Sequence, residues 1–377
     1  MSLRAPQQTD PRFYPESILE NPGARPEPRR KRARPKVGGF LAGLLAAILL
    51  ILFVSGPVKR FLPHGAGVPR PPATTMIWAV RLSSGPAASL SAILSAPAGR
   101  PTAVVAVPGD TSVDLPGGGP TIVSDAATSP GLAVASAQAI LGVRVPHYLV
   151  IDEIDLQALV DRMGGIRVDT EATFLSGGQT LGPGPTRLLG ADLSAYLTAS
   201  TDTADLTSRW EDVLTGLTVG STDPSKWTFP LGQSDDAALA AKLLASIHGK
   251  LISELPTAPN DGATQPDSKA IGLMIQRSFA PSPQPLIRVV VLNGNGRPGM
   301  GAIVASLIAP SGFRVVAAQN ADNFKAAATQ VVAADSSMLP LAQEMVTLLG
   351  VGKVYVGGQP TGIADITIVV GKDFKAG

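Results

Sequence analysis

A long apolar run near the N-terminus is the clearest hydrophobic pattern in the chain. Residues 37–54 are 18 almost wholly apolar positions, and no charged residue occurs from Val37 to Val58. As an α-helix, these residues would extend about 27 Å, close to the ~30 Å hydrocarbon thickness of a bilayer. The run has no polar stripe, so it is not typical of a surface helix. The pattern predicts one transmembrane helix over residues 37–58.

Charged residues flank this run asymmetrically. Lys59 and Arg60 follow it closely, and the basic residues clustered just before it are Arg25, Arg29, Arg30, Lys31, Arg32, Arg34 and Lys36. The positive-inside rule predicts a cytoplasmic N-terminus and a body outside a bacterial cytoplasmic membrane, with residues 1–36 as a disordered basic tail. A cleaved signal peptide is the first alternative, but the basic region is too long and a small-x-small site is missing. A buried core helix is the second, and it would leave the charge asymmetry without a cause.

Two segments rich in Gly and Pro divide the rest of the chain. Residues 59–73 are predicted to be a spacer, and residues 256–285 a linker with a short helix around 271–275. They separate a domain over 74–255 from a second domain over 286–377. Each domain is long enough to bury a core of its own.

The larger domain alternates strand and helix patterns. The predicted strands are 76–82, 102–107, 147–151 and one that starts at Ile166. The predicted helices are 133–141, 155–163, one that begins near a capping box at Ser208, and 235–251. This alternation predicts an α/β domain built on a mixed sheet.

The smaller domain has a simpler order of elements. Its pattern predicts strand 287–293, helix 300–309, strands 313–318 and 329–333, helix 338–349, and strands 353–357 and 365–370. That order is β-α-β-β-α-β with one added strand. It predicts a small two-layer α+β sandwich of the split βαβ type.

Composition and charge narrow the function classes. Hydrophobic residues make up 45% of the 377 positions and charged residues 16%, which excludes a disordered polyelectrolyte. There is no cysteine, so disulfides and thiolate metal sites are excluded. The net charge of +2 is a cancellation between residues 1–60, at +7, and the remainder, at −5. An acidic outer body argues against nucleic acid as a partner.

Residues 294–299 form a literal G-x-G-x-x-G between a predicted strand and a predicted helix. A dinucleotide site would need an acidic residue about 20 residues further on; the second strand ends instead in Gln319 and an asparagine. We therefore predict a tight turn whose helix N-terminus holds an anion through Gly294 and Gly296, with help from Arg297.

Histidine chemistry has little support in the sequence. His64, His147 and His248 lie far apart and show no metal-ligand spacing, so no zinc site is predicted. A Ser-His-Asp arrangement through His147 stays open, although no G-x-S-x-G elbow occurs.

Several motifs taken together resemble the LytR–CpsA–Psr family of cell-envelope proteins. In residues 131–174 a helix ends in Leu-Gly, a His-Tyr strand follows, and a helix with Leu-Val-Asp leads to a Gly-Gly-Ile turn. Pro108-Gly109-Asp110-Thr111 stands where the family has Pro-Arg-Asp-Ser/Thr, and residues 188–197 resemble its Leu-Asn-Gly-x-x-Ala-Leu-x-Tyr segment. Residues 287–315 are similar to the LytR C-terminal domain. The resemblance covers residues 74–220 and 286–370 approximately.

This resemblance implies a chemistry. Active family members resemble phosphotransferases that move glycopolymers from a polyprenyl-pyrophosphate carrier to peptidoglycan. The reaction needs guanidiniums that hold the pyrophosphate and carboxylates that hold Mg²⁺. The matching residues are Asp110, which is also a possible Mg²⁺ ligand, Arg209 at the second arginine of the family's Arg-x-x-Arg-Gln pattern, and Asp205.

Most of the family's phosphate-binding arginines have no counterpart here. Gly109 replaces the arginine of Pro-Arg-Asp, Pro72-Ala-Thr-Thr75 replaces Arg-x-Asp-Thr, and no Arg-x-Arg follows Tyr196. Each lost charge-assisted contact would cost roughly 1.5–3 kcal/mol of pyrophosphate binding. Arginines that folding would have to bring to Asp110 instead are Arg81, Arg100 and Arg144.

These departures predict a non-catalytic, single-pass envelope protein. We expect it to bind or scaffold cell-wall glycopolymer, a polyprenyl-phosphate-linked precursor, peptidoglycan or another envelope protein such as a catalytic relative. Two alternatives stay open. One is an active transferase that uses Asp110 and Arg209 with Mg²⁺, and the other is a transcriptional attenuator that contacts DNA through its basic tail but has no recognition helix.

Overall fold

The computed structural model describes residues 74–85, 87–97, 100–115, 119–199, 202–220, 223–260, 263–278, 286–357 and 362–375. All of them lie in one compact unit. The tail, transmembrane helix and spacer predicted for residues 1–73 lie outside the described residues. Within the described part, no helix has both the length and the apolar character needed to cross a bilayer.

Strands and helices alternate through residues 74–278. The strands are β1 (Thr74–Arg81), β2 (Ser89–Ala96), β3 (Thr102–Val107), β4 (Ser112–Leu115), β5 (Gly119–Ile122), β6 (His147–Asp152), β7 (Ile166–Thr170), β8 (Phe174–Ser176), β9 (Gln179–Leu181), β10 (Gly184–Leu188), β11 (Gln233–Ser234), β12 (Ile247–Glu254), β13 (Thr257–Asn260) and β14 (Ala263–Pro266). The helices are α1 (Val123–Ala126), α2 (Pro130–Leu141), α3 (Glu153–Arg162), α4 (Gly190–Thr198), α5 (Thr203–Gly220), α6 (Ala237–Ala245) and α7 (Ser268–Ser278).

A six-stranded mixed sheet forms the centre of this region, in the order β11-β6-β1-β2-β3-β12. Strand β1 runs parallel to β6, and β3 runs parallel to β12. Strand β2 lies antiparallel between β1 and β3. The strands β4–β5, β7–β10, β8–β9 and β13–β14 form separate two-stranded sheets. The predicted mixed-sheet α/β class is confirmed.

The C-terminal region contains the predicted elements in the predicted order. They are β15 (Ile287–Asn293), α8 (Met300–Ile308), β16 (Phe313–Asn320), β17 (Gln330–Ala333), α9 (Leu339–Leu349), β18 (Lys353–Val356) and β19 (Ile366–Val370). The sheet order is β16-β15-β19-β17-β18. Parallel pairs β15–β16 and β17–β18 are direct neighbours, so the predicted split arrangement is wrong. Strand β19 lies between the β15–β16 pair and the β17–β18 pair, parallel to β15 and antiparallel to β17.

Both faces of the six-stranded sheet are apolar and covered. On β1, Trp78 and its alternate neighbours pack with helices α3 to α6, and Trp78 lies edge-on to Trp210 of α5 with ring centroids 5.2 Å apart. The intervening residues, Ile77 and Ala79, belong to a second core that contains α2, α7 and the apolar side chains of the C-terminal sheet. The C-terminal region therefore shares a core with the six-stranded sheet.

Two helix predictions need correction. Helix α5 begins at Thr203, so the capping box predicted at Ser208 lies inside it; Asp202 caps the helix, with its carboxylate accepting the Ala204 N–H at 3.0 Å. The helix predicted over 235–251 ends at Ala245, and the following residues form β12. Pairing along the edge of β3 satisfies backbone groups there, and this outweighs the local helical pattern.

The segment predicted as a linker, 256–285, contains ordered elements. Strands β13 and β14 form a hairpin that includes Pro259 and Pro266, and α7 follows. The Asp267 carboxylate accepts the N–H groups of Lys269 and Ala270, each at 3.0 Å, and caps α7. Ile271 and Ile275 of α7 are buried in the core that contains α2. The high Pro and Gly content of the segment did not reveal that α7 packs into the core.

Helix α2 lies unusually close to helix α8. A Cβ added to Gly131 would lie 2.0 Å from the carbonyl oxygen of Ser306. The buried Gln138 side chain donates a hydrogen bond to the Ala309 carbonyl at 2.8 Å. The absence of a side chain at Gly131 thus allows the two helices to approach.

We predict that Gly131→Ala destabilises the folded unit, because the added methyl group must push α2 away from α8. Overpacking of this kind costs on the order of 1–3 kcal/mol. Thermal unfolding of the full chain measures the effect as a lower unfolding temperature. Gly272→Ala in α7 is the matched control, because its added Cβ meets no atom within 4 Å. An equal loss in both variants would contradict the proposed contact.

Candidate functional site

The C-terminal ends of four strands lie at one edge of the six-stranded sheet, here called the carboxyl edge. Strands β1, β3, β6 and β12 all run in the same direction. Open α/β sheets bind ligands in the crevice outside such ends. The residues at or directly after these strand ends are Arg81, Asp110, Asp152 and Glu254. The fold thus places Asp110, a candidate from the sequence, at the carboxyl edge.

Asp110 lies in a tight turn that follows β3. The Thr111 N–H donates to the Pro108 carbonyl at 3.0 Å and closes the turn. The Asp110 side chain is half-buried and has no hydrogen-bonding partner among the described residues. At Gly109 an added Cβ would lie 3.4 Å from the Cβ atoms of Ala87 and Ser124. Neither a positive φ nor a severe clash therefore requires glycine here.

Arg209 is already occupied by neighbouring groups. Its Nε lies 3.1 Å from the Asp205 carboxylate, one turn earlier on α5. Its Nη1 donates to the Tyr196 carbonyl at 2.8 Å, and the guanidinium lies 5.0 Å from the centroid of the Tyr196 ring. The Arg209 side chain is 14% exposed. The structure therefore brings Arg209 and Asp205 together in an ion pair that also fixes α5 to α4.

Asp110 and Arg209 lie in the same region without a direct contact. The Trp210 indole N–H donates to the Ser91 carbonyl at 3.2 Å, and Ser91 pairs with Val107 near the end of β3. This anchors the middle of α5 near the carboxyl edge. No hydrogen bond or ion pair among the described residues joins Asp110 to Arg209 or Asp205.

Arg81 is the second arginine at the carboxyl edge, and it is also paired. Its Nε lies 2.7 Å from the Asp152 carboxylate, and the two side chains are 29% and 44% exposed. Arg100 and Arg144 precede β3 and β6, so they lie at the opposite edge of the sheet. Folding therefore supplies one of the three additional arginines.

Glu153 holds the segment that follows β1. Its Oε2 accepts the Ser83 N–H at 3.0 Å and the Ser83 hydroxyl at 2.5 Å. Burial acts to raise the pKa of Glu153, but hydrogen bonds from Ser194 and Ser83 outweigh it and keep that pKa below its usual value. Glu153 therefore connects three elements as a carboxylate. The sequence did not reveal this contact, because Ser83 and Glu153 are 70 residues apart in the chain.

Burial and nearby acids raise two carboxyl pKa values on α5. Burial raises the pKa of Asp212, and Glu171 and Asp169 add to this, although the Tyr196 hydroxyl donates a hydrogen bond to Asp212 at 2.7 Å. Burial raises the pKa of Glu211, and Glu254 adds to it. The buried Glu211 Oε1 has no hydrogen-bonding partner. The surroundings of α5 therefore disfavour additional negative charge.

The described side chains near the carboxyl edge are mainly acidic. The arginines are Arg81 and Arg209, and the acids are Asp110, Asp152, Glu153, Asp205, Glu211 and Glu254. Mg²⁺ is expected only if the chain catalyses transfer. Among the described residues no three acids or histidines converge in a way that would hold a metal ion, so those residues do not fit Mg²⁺ held by the protein alone.

The glycine loop before α8 is closed by its own side chains. The Gly296 N–H donates to Asn293 Oδ1, and the Arg297 N–H donates to Asn295 Oδ1, each at 2.9 Å. Gly296 has φ +79°, and an added Cβ on Gly294 would lie 2.8 Å from Ala326 Cβ. The backbone therefore needs both glycines. The Gly294 N–H donates to the Val370 carbonyl at 3.0 Å, so all three backbone N–H groups at the predicted anion site already have acceptors.

We predict that Glu211→Gln raises the unfolding temperature at pH 7, by on the order of 2 °C. Because the folded state raises the pKa of Glu211 above its ordinary value of 4.5, the wild type loses stability as the pH rises through and above that value, and glutamine removes this loss. The gain should vanish as the pH falls below 4.5. Glu344→Gln, at an exposed position on α9, is the control. A gain that does not depend on pH would contradict the assigned cause.

Two protein-family models match different parts of the chain. Residues 94–225 match the LytR_cpsA_psr family, and residues 286–374 match LytR_C, described as "LytR cell envelope-related transcriptional attenuator". No curated protein matches the sequence.

Solved structures of low sequence identity are also similar. B. subtilis TagV is 16% identical with a TM-score of 0.46, and the match covers 56% of this chain and 99% of that one. The LytR-Csp2A-Psr enzyme from Actinomyces oris is 18% identical with a TM-score of 0.41, and the match covers 58% and 97%. The family assignment depends on the two family matches. The chain therefore carries a LytR–CpsA–Psr family domain at residues 94–225 and a LytR C-terminal domain at residues 286–374.

Proposed function

We propose that this LytR–CpsA–Psr family protein acts at the cell envelope without catalysing glycopolymer transfer. In this proposal it binds or scaffolds cell-wall glycopolymer, its lipid-linked precursor or a catalytic relative. The observation that carries the proposal is that both arginines at the carboxyl edge are paired with carboxylates. Arg209 is paired with Asp205, and Arg81 with Asp152.

A pyrophosphate at this edge would be poorly neutralised. To bind it, Arg209 would have to exchange its contacts with Asp205 and the Tyr196 carbonyl for contacts with phosphate oxygens. Asp110, Glu211 and Glu254 would add repulsion rather than attraction. Phosphoryl transfer depends largely on groups already positioned to stabilise developing negative charge, and the described residues offer little of this.

The location of this activity is part of the proposal. The apolar run at 37–58 and the basic residues before it favour a single-pass anchor with a cytoplasmic N-terminus. The body would then face the cell wall, where glycopolymers and peptidoglycan are available. The −5 charge of the residues after position 60 is consistent with a body that does not bind nucleic acid.

A transfer assay tests the proposal directly. We expect the full chain, with Mg²⁺ and a polyprenyl-pyrophosphate-linked glycopolymer, to show no transfer to peptidoglycan and no release of phosphate above background. Asp110→Ala and Arg209→Ala should therefore leave the signal unchanged. Turnover by the wild type that both substitutions abolish would contradict the proposal and favour a transferase.

Gly109→Arg provides a second arm of the same experiment. The substitution restores the arginine of the family's Pro-Arg-Asp motif at a position that neither a positive φ nor a severe clash restricts. It should tighten the binding of inorganic pyrophosphate by about tenfold, as expected for one charge-assisted contact. Gly272→Arg, in open space on α7, should not. Tight wild-type binding that Gly109→Arg leaves unchanged would contradict the idea that the edge lacks phosphate-binding charge.

A further inference from the structure

Two exposed arginines face each other away from the carboxyl edge, and a third, Arg162, lies near them in the chain. Arg167 on β7 and Arg187 on β10 are direct partners in an antiparallel ladder, so their side chains share one face. The Arg187 guanidinium donates to the Gly164 carbonyl, and Arg162 lies two residues before Gly164 at the end of α3. All three side chains are exposed. We call these three residues the arginine patch.

Among the described residues, no carboxylate forms an ion pair with the arginine patch. The ion pairs of the described residues involve Arg81, His147, Arg209 and Arg288, and none involves these three arginines. Two acids lie near these arginines along the chain. Asp161 accepts the Gly190 N–H at 2.7 Å, and the exposed Asp169 lies two residues from Arg167 on the same face of β7 without forming an ion pair. Like charges directly opposite each other in a ladder are destabilising, and an anion bound between them would remove that cost.

Backbone carbonyls hold two of these guanidiniums in place. Arg187 Nε lies 2.9 Å from the Gly164 oxygen, and Arg162 donates to the carbonyls of Lys226 and Thr228. A carbonyl fixes a guanidinium without cancelling its charge, and the remaining N–H groups can bind a phosphate bidentately. This differs from a flexible polybasic segment that adheres to a lipid surface. The exposed Leu189 beside the patch adds apolar contact for the units between phosphates.

We propose that the arginine patch binds the phosphodiester groups of an anionic wall polymer. The inference rests on the proposed function for the class of polymer, but it assigns binding to a different surface from the carboxyl edge. A polymer with regularly spaced phosphates fits fixed, neighbouring guanidiniums. The patch would hold a polymer strand by its backbone, independently of any chemistry at Asp110 or Arg209.

Binding of poly(glycerol phosphate) to the full chain tests the proposal. Arg167→Glu should weaken binding by about tenfold or more, because it removes one cation and pairs Arg187 internally. The unfolding temperature should not fall, because the new cross-strand pair joins opposite charges. Lys269→Glu makes the same change of charge at an exposed helix N-terminus and should leave binding unchanged.

The remaining outcomes separate this proposal from the function proposed above. If the wild type and Arg167→Glu bound the polymer equally well, the arginine patch would not be the binding site. The polymer would then bind elsewhere on the protein. If Arg167→Glu and Lys269→Glu weakened polymer binding equally, the loss would come from net charge alone, and this would also overturn the proposal. Absence of polymer binding, or binding to phosphatidylglycerol vesicles alone, would overturn it in favour of no anionic partner or a membrane surface. Transfer activity with unchanged patch binding would contradict the non-catalytic function alone.

Discussion

The fold depends on a sheet that must be covered on both faces. Alternate residues of β1 are buried on opposite sides, with Trp78 at 0% exposure on one side and Ile77 at 1% on the other. Helices α3 to α6 satisfy one face, and α2 satisfies the other. Because α2 also packs against α8, the LytR C-terminal domain becomes part of the same core. The two helices approach most closely at Gly131, where a Cβ would lie 2.0 Å from the Ser306 carbonyl oxygen, so no side chain fits between them.

The same burial leaves the carboxyl edge as the place where polar groups collect. Side chains within the strands are committed to the two cores, so charged residues lie at the strand ends, at Arg81, Asp110 and Asp152. The charges there largely pair with one another, and acids outnumber arginines. This balance is the basis of our proposal that the carboxyl edge, although the fold could hold a ligand there, does not catalyse phosphoryl transfer. The arginine patch lies on another surface, and its cations form no ion pair among the described residues.

Patterns of short range predicted much of this structure. The strand at β15, the helix at α2 and its glycine C-cap follow from local periodicity, and Gly142 has the left-handed φ of 68° that such a cap requires. Errors arose where long-range pairing decides. Strand β12 replaced the second half of a predicted helix because β3 needed a partner, and Pro-rich residues 257–266 form a hairpin. For the site, the sequence named Asp110, Asp205 and Arg209 as candidates, but it did not predict that Arg209 is held by Asp205, or that Arg167 faces Arg187.

The most direct test of the central claim is a crystal structure of the full chain with a short-chain polyprenyl pyrophosphate and Mg²⁺. We predict that Arg209 keeps its contacts with Asp205 and the Tyr196 carbonyl, and that no diphosphate lies between Arg209 and Asp110. A diphosphate held jointly by Arg209 and Arg81, with a metal ion on Asp110, would contradict it.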